Sequence, residues 1–283
     1  MNYFLTPDAL TLINQIRKTK DTAEIELSLD LGRTFSMVKI RKNTIQIKDQ
    51  IFPIPDELFH ECDERTIFKW QDNSWQKWQF FDSKTGKFYK PVFVQQGKPP
   101  TLEISGVKMH VTQNENPETD TKNKMKALGT VRGKILDTCL GLGYTSIYGS
   151  KLPEVEMVIS CEGDPNILQI CRENPWSAEL FDNPKIQLII ISADEFVQFI
   201  PDKYFDTVLH DPPRFALAPE LYSSTFYQQV YRILKTGSTF YHYTGNPNRA
   251  KRKIPLAQKT IELLTEIGFR KVRLSYQGVT AQK

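Results

Sequence analysis

The pattern of apolar and polar positions changes character near residue 110. Before it, apolar residues mostly alternate with polar ones; after it, short continuous apolar runs alternate with stretches of helical period. Pro7–Lys18 predicts a short helix, since proline suits a first turn and Leu10, Ile13 and Ile16 share a face. From Ala23 the period is two. Glu24–Leu29, Met37–Ile40 and Thr44–Ile47 alternate, and the gaps holding Gly32 and Asn43 read as hairpin turns. Residues 23–109 therefore read as a small, mostly antiparallel β-domain. Within it, Phe52–Phe59 is a connector or short helix, and Thr101–Ile104 and Val107–His110 are its last strands. Residues 112–121 have almost no apolar content and read as a loop or linker, followed by a short helix over Lys122–Leu128 that ends at Gly129.

The second half predicts strands at Ile135–Asp137, Glu156–Cys161, Ile186–Ile191, Thr207–His210, Ser238–Tyr243 and Lys271–Ser275, with a clipped final strand over Val279–Gln282. Helices are expected at Tyr144–Lys151, Pro165–Arg172, Ala193–Ile200, Ser223–Leu234 and Pro255–Ile267. This alternation is the pattern of a doubly wound parallel sheet with helices on both faces. The division expected is 1–110 for a mostly β domain with a leading helix, 111–129 for a linker and short helix, and 130–283 for the α/β domain.

Composition adds bounds. The 283 residues are 40% hydrophobic and 25% charged, ordinary for a globular chain, and no apolar run is longer than a strand. Nothing at the N-terminus resembles an export signal, so a cytoplasmic location is expected. Cys62, Cys139, Cys161 and Cys171 do not form a zinc spacing; reduced thiols are expected, and no metal. The net charge of +4 permits an anionic partner without demanding one. Phe68–Phe93 interleaves nine aromatics with lysines. Either this is a surface that stacks bases and meets phosphate, or the aromatics fill the core of a small β-domain. The basic stretch Asn246–Lys253 reads as a grip for a polyanion or as a solvated loop.

The candidate chemistry is organised around Lys134–Tyr144. There an apolar strand runs into Asp137, turns through Leu140, Gly141 and Gly143, and opens a helix at Tyr144. Open parallel sheets bind ligands beyond the carboxyl ends of their strands, where glycines let backbone approach the ligand. Those ends carry an acidic series. Glu162, followed by Gly163, stands where an acid takes both hydroxyls of an adenosine ribose. Asp194 is placed to accept from an adenine amino group or to cap a helix. At Asp211, a strand stops in Asp211-Pro212-Pro213-Arg214-Phe215. Two prolines remove two backbone donors and fix the chain's course, leaving carbonyls and Asp211 to face an amine. Phe215 could stack on a planar substrate, and Arg214 offers a fork for carboxylate or phosphate. His210 and His242 read as core or orienting residues. No nucleophile with a matched base stands out, so the chemistry is expected to come from a cofactor. Asp120 with Thr119 and Lys122 either closes over that cofactor or is linker, and Tyr222 is a candidate for the acceptor pocket.

These residues resemble the class I S-adenosylmethionine-dependent methyltransferases. Asp137–Tyr144 is similar to their glycine-rich motif, Glu162 to their ribose-binding acid, Ala193-Asp194 to their adenine contact, and Asp211–Phe215 to the fourth motif of their amino-group enzymes. The chain further resembles an uncharacterised, mainly archaeal group of predicted methyltransferases that pair a β-domain with this sheet. The marks are residues 104–110, 120–124, 136–145, 210–215, 220–227 and the closing Gln-Gly-Val-Thr-Ala. The resemblance implies a Rossmann-like sheet, S-adenosylmethionine as cofactor, and methyl transfer to an amino nitrogen of an RNA base or another amine. Arg214 departs from the pattern, in which an aromatic residue directly follows the prolines, and makes a substrate with an acidic group credible. The sheet also resembles that of the aminopropyl-transferring polyamine synthases, which use a decarboxylated form of the same cofactor. Aminopropyl transfer is thus one alternative. A nucleic-acid-binding protein without catalysis is another, and a nicotinamide dehydrogenase a third.

Overall fold

A computed structural model describes residues 2–245 and 256–283. The basic stretch Asn246–Lys253 and the expected helix start at Pro255 lie outside the described residues. The chain forms two compact units, Met1–Glu118 with Glu173–Trp176, and Thr119–Arg172 with Ser177–Lys283.

In the first unit a helix over Pro7–Thr19 is opened by Thr6, whose hydroxyl accepts from the Ala9 amide at 3.4 Å. Its buried face, Ala9, Leu10 and Ile13, packs on Val38, Ile40 and Ile45. Those residues belong to a four-stranded antiparallel meander of Thr22–Leu27, Ser36–Arg41, Thr44–Ile47 and Gln50–Pro53. The expected connector at Phe52–Phe59 is thus the end of a strand followed by a short helix, Glu57–Glu61. A three-stranded sheet joins Phe4–Leu5, Phe68–Gln71 and Ser74–Lys77. A four-stranded one joins Val107–Lys108, Thr101–Ile104, Lys87–Val92 and Phe80–Asp82.

The aromatic-rich segment mainly fills the core. Phe68, Trp75, Trp78 and Tyr89 are buried, and Trp70 and Trp75 lie edge to face at 5.2 Å. Among the interleaved lysines, Lys69 pairs with Glu173 at 3.0 Å, Lys77 with Glu61 at 3.1 Å and Lys90 with Asp63 at 3.9 Å. Phe81 and Phe88 are the exceptions, 62% and 36% exposed.

The second unit holds seven strands, labelled here in chain order: β1 (Gly133–Asp137), β2 (Val155–Cys161), β3 (Ile186–Ile189), β4 (Phe205–His210), β5 (Leu234–Tyr243), β6 (Arg270–Ser275) and β7 (Gly278–Gln282). They form one sheet in the order β3-β2-β1-β4-β5-β7-β6. The first five strands are parallel, and β7 is antiparallel to both its neighbours. The direction of winding reverses beside β1, which lies between β2 and β4. There Asp137 is level with Ser160 on one side and Leu209 on the other. The crevice of a doubly wound sheet opens at such a reversal, which brings the ends of β1, β2 and β4 to one edge.

The helices are α1 (Pro117–Leu128), α2 (Tyr144–Ser150), α3 (Pro165–Glu173), α4 (Glu179–Asp182), α5 (Ala193–Phe196), α6 (Ser224–Ile233) and α7 (Leu256–Ile267). Leu136, Val208 and Phe240 of the central strands pack with Phe226 and Val230 of α6 and Leu264 of α7, all at most 2% exposed. Three differences from the sequence-based expectation bear on the site. The polar run 112–121 is not all linker: α1 begins at Pro117, and its polar residues Asp120, Thr121 and Lys124 are buried. The helix expected over Ala193–Ile200 gives way after Phe196 to a tighter turn, Val197–Phe199. Helix α4 was not expected at all. Among the described residues, no helix is long and apolar enough to cross a membrane.

Candidate active site

The turn after β1 is shaped by its glycines. Gly141 and Gly143 have φ of 53° and 78°, a left-handed conformation that side chains disfavour, and a Cβ on Gly143 would come within 2.3 Å of Leu180. The Leu140 amide donates to the Cys161 carbonyl at 2.8 Å, which pins the turn to the end of β2. Leu140 and Tyr144 are both buried.

Asp137, only 1% exposed, sits under this turn. Its Oδ2 accepts from the Thr145 hydroxyl at 2.6 Å and the Ser146 hydroxyl at 2.7 Å, while Oδ1 has no hydrogen bond among the described residues. Burial pushes its pKa up to about 6, against the pull of the two hydroxyls.

Glu162 folds back toward the same turn. Its Oε2 accepts from the Gly141 amide at 3.2 Å and its Oε1 from the Asp164 amide at 2.9 Å. Burial raises its pKa to about 7, with those two amides working the other way. Gly163 has an ordinary negative φ, and a Cβ there would meet Ser192 at a normal contact of 3.6 Å, so neither backbone nor space demands a glycine. Asp194 lies in the first turn of α5. Ser192 is the cap residue there, and Oδ1 of Asp194 is buried without a hydrogen bond.

At the end of β4, His210 is fully buried, with Nε2 2.9 Å from the Leu221 carbonyl and Nδ1 2.6 Å from the Thr138 hydroxyl. Burial lowers its pKa to about 3, so the ring is neutral. A carbonyl can only accept, so the proton is on Nε2 and Thr138 donates to Nδ1. The imidazole thereby ties the end of β4 to the end of β1. His242, on β5, pairs with the Tyr227 hydroxyl at 2.9 Å and is likewise held neutral by burial.

Asp211 follows directly and meets a residue that sequence reasoning missed. The Lys124 ammonium of α1 donates to Asp211 at 2.5 Å and contacts Asp120 at 2.7 Å; Lys124 and Asp120 are buried, and Asp211 keeps 21% of its side chain exposed. The Tyr276 hydroxyl donates to Asp120 at 2.9 Å, and the ring of Tyr243 lies 4.8 Å from the ammonium. Burial alone would lower the Lys124 pKa, but Asp211 first and then Asp120 hold it above the ordinary lysine value. Burial raises Asp211 while Lys124 opposes that rise. When all three are ionised, the group carries one net negative charge. Asp120 is therefore a buried residue of α1 joined through Lys124 to Asp211, rather than a linker residue.

Pro212 is buried, and the Pro213 carbonyl accepts from the Tyr222 hydroxyl at 2.8 Å. Phe215, 40% exposed, meets Tyr222 edge to face at 5.4 Å. Arg214 is exposed. The spacing of Asp120 and Lys124, four apart, would have signalled an ion pair had the helix expected from Lys122 been extended back to Asp120. Tyr276 arrives from the β6–β7 turn, directly before the closing Gln-Gly-Val-Thr-Ala, and the sequence pattern does not itself single it out as a site residue.

Comparison with known proteins adds relatives to this geometry. The chain is 36% identical over 293 residues to the uncharacterized protein MJ1233 of Methanocaldococcus jannaschii, covering 100% of this chain and 96% of that protein. The chain belongs to the MJ1233 family. Residues 147–275 match the family model of the spermine/spermidine synthase domain. Two relatives match in part, and the chain spans half of their length or less. A polyamine aminopropyltransferase of Sulfurisphaera tokodaii is 32% identical over 37% of this chain and 36% of its own. A putrescine N-methyltransferase of Nicotiana attenuata is 24% identical over 65% of this chain and 47% of its own. Among solved structures, a spermidine synthase in complex with the transition-state analogue AdoDATO superposes with a TM-score of 0.60 at 19% identity, covering 73% of each chain. That likeness establishes a Rossmann-like fold preceded by a β-rich domain.

These findings correct the expectation of a methyltransferase, both as an activity and as membership of a group of predicted methyltransferases. The matching domain is named for spermine and spermidine synthesis. The physical reason for the error is plain. A glycine turn, an acid placed for a ribose and an acid placed for an adenine serve any nucleoside of this kind. They carry no record of which carbon on its sulfur is moved. The Asp-Pro-Pro sequence was expected to mark amino methylation, but it is one side of the ion pair with Lys124.

Proposed function

We propose that this protein is a cytoplasmic aminopropyltransferase, moving the aminopropyl group of decarboxylated S-adenosylmethionine to a primary amine. The observation that carries the reading is the overlap of the spermine/spermidine synthase match with the crevice: residues 147–275 include Glu162, Asp194 and Asp211. The Sulfurisphaera relative and the spermidine synthase fold support it. All four cysteines are free thiols, which fits the reducing compartment proposed.

The residues present suit the nucleoside. Asp137 and Asp194 each keep a buried oxygen without a hydrogen bond. Glu162 has acceptor capacity beyond its two backbone bonds. In this reading Glu162 accepts from the ribose hydroxyls, Asp194 from the adenine amino group, and Asp137 with the Leu140–Gly143 backbone and Tyr144 borders the propylamine tail. An acidic crevice favours a tail that has lost its carboxylate. When bound, the sulfonium supplies an activated carbon and a neutral thioether as leaving group. Asp211 and the carbonyls at Pro212-Pro213 align the acceptor amine for in-line attack. Asp211 also favours the positive charge that grows on that nitrogen before its proton passes to water.

Incubation with decarboxylated S-adenosylmethionine and a panel of amines, read by mass spectrometry, tests the proposal. Methylthioadenosine and an aminopropylated amine should form in equal amounts. Methylated product from S-adenosylmethionine, with the decarboxylated donor inert, would contradict it.

A further inference from the structure

The acceptor end carries a cation of its own. Lys124 lies 2.5 Å from Asp211 and 2.7 Å from Asp120, and it is nearly inaccessible to solvent. Asp120 is committed further, to the Tyr276 hydroxyl. Asp120 is thereby fully committed, while Asp211 keeps 21% of its side chain exposed toward a second ammonium group, and the common charge of the three is balanced down to one. The next charge along the chain from Asp211 is Arg214, which is exposed and positive. Arg214 follows Asp211 by three residues, and its charge acts on the Tyr243 hydroxyl together with those of Asp211, Lys124 and Asp120. A linear diamine would meet one net negative charge at its reacting end and a guanidinium beyond it. An amine with an anionic far end would meet complementary charge at both.

We propose, on the footing of the aminopropyltransferase reading, that the acceptor is a primary amine whose other end is a carboxylate or phosphate. Its ammonium group faces Asp211, its anion pairs with Arg214, and Lys124 is the specificity residue that excludes diamines. In the transfer, the ammonium first gives a proton to water. The nitrogen lone pair then forms the new N–C bond as the C–S bond of the donor breaks, and methylthioadenosine leaves with the sulfur electrons. The anionic end is unchanged.

The test uses the full chain with decarboxylated S-adenosylmethionine and three acceptors: putrescine, γ-aminobutyrate and aminopropyl phosphate. Binding of the same three is measured by calorimetry with methylthioadenosine present. At least one anionic amine should exceed putrescine about tenfold or more in kcat/KM, and the better one distinguishes carboxylate from phosphate. Arg214→Glu, a surface change, should reverse that preference, and Lys124→Met should raise the relative use of putrescine. A wild type that prefers putrescine, or an Arg214→Glu variant with an unchanged ratio, overturns the inference while leaving aminopropyl transfer standing. Tight binding of an anionic amine without any transfer supports the inference and removes the proposed activity. No binding or turnover of either class overturns the inference.

Discussion

The two ends of the crevice hold their acids by opposite means. Around Asp137 and Glu162 every partner is neutral, a hydroxyl or a backbone amide. Burial therefore dominates, and their pKa values rise to about 6 and about 7. Around Asp120 and Asp211 the partner is a buried ammonium. One end can offer lone pairs to neutral hydroxyl and amino groups and can change its protonation near neutrality. The other carries fixed charge, which in the proposed reading discriminates among charged acceptors. A nucleoside suits the first and an ionic amine the second, from one sheet edge.

The largest expected effect comes from removing the counter-charge. Lys124→Met leaves two buried carboxylates facing each other, which should cost about 3–5 kcal/mol of stability in chemical denaturation. A loss below about 1 kcal/mol would mean that the ion pair is not part of the folded protein. At the donor end, Glu162→Ala should instead spare stability and weaken methylthioadenosine binding by about 10- to 150-fold, the worth of hydrogen bonds to a charged group. Unchanged affinity by calorimetry would remove Glu162 from the nucleoside site.

The contrast extends to pH. Glu162 has a folded pKa of about 7 against an ordinary 4.5, so the folded chain binds more protons than the unfolded one between those values. Its contribution to stability is complete below the lower value and is lost as pH rises through the upper. Lys124 contributes nothing to that window, since its raised pKa matters only above the ordinary lysine range. His210, lowered to about 3, has the opposite sign and loses stability as acid is added. The two effects separate in a difference measurement, because the histidine contribution cancels between wild type and Glu162→Gln. The variant should gain on the wild type as pH rises from about 5 to 7.5; parallel curves would contradict the burial argument. The smallest effect expected is that of Tyr276→Phe. It removes one hydroxyl donor to Asp120 and should cost about 0.5–1.5 kcal/mol in the same denaturation assay.

The donor end was legible in the sequence, and the acceptor end only in part. Apolar runs ending in Asp137, Cys161 and His210 signal parallel strands whose ends share an edge, and Gly141 and Gly143 announce the turn between Asp137 and α2. The Lys124 contact was hidden by composition. Residues 112–121 are so polar that Asp120 reads as linker, apart from the helix expected to hold Lys124, yet the two are polar because they neutralise one another in the interior. Tyr276 and Asp120 are brought together by the sheet order, which no local pattern encodes. In the β-domain, Trp75 and Tyr89 show the converse: aromatics that resemble a base-stacking surface are the core of small sheets. The chemical group that the proposed reaction moves was illegible for a different reason, since residues suited to a nucleoside are indifferent to it.

A crystal structure of the protein with methylthioadenosine bound is the most direct test. The account predicts the ribose hydroxyls within hydrogen-bond reach of Glu162, the adenine amino group at Asp194, and the sulfur facing Asp211 across the end of β1. A nucleoside seated elsewhere, or a Glu162 carboxylate turned to solvent with the ribose untouched, would contradict it.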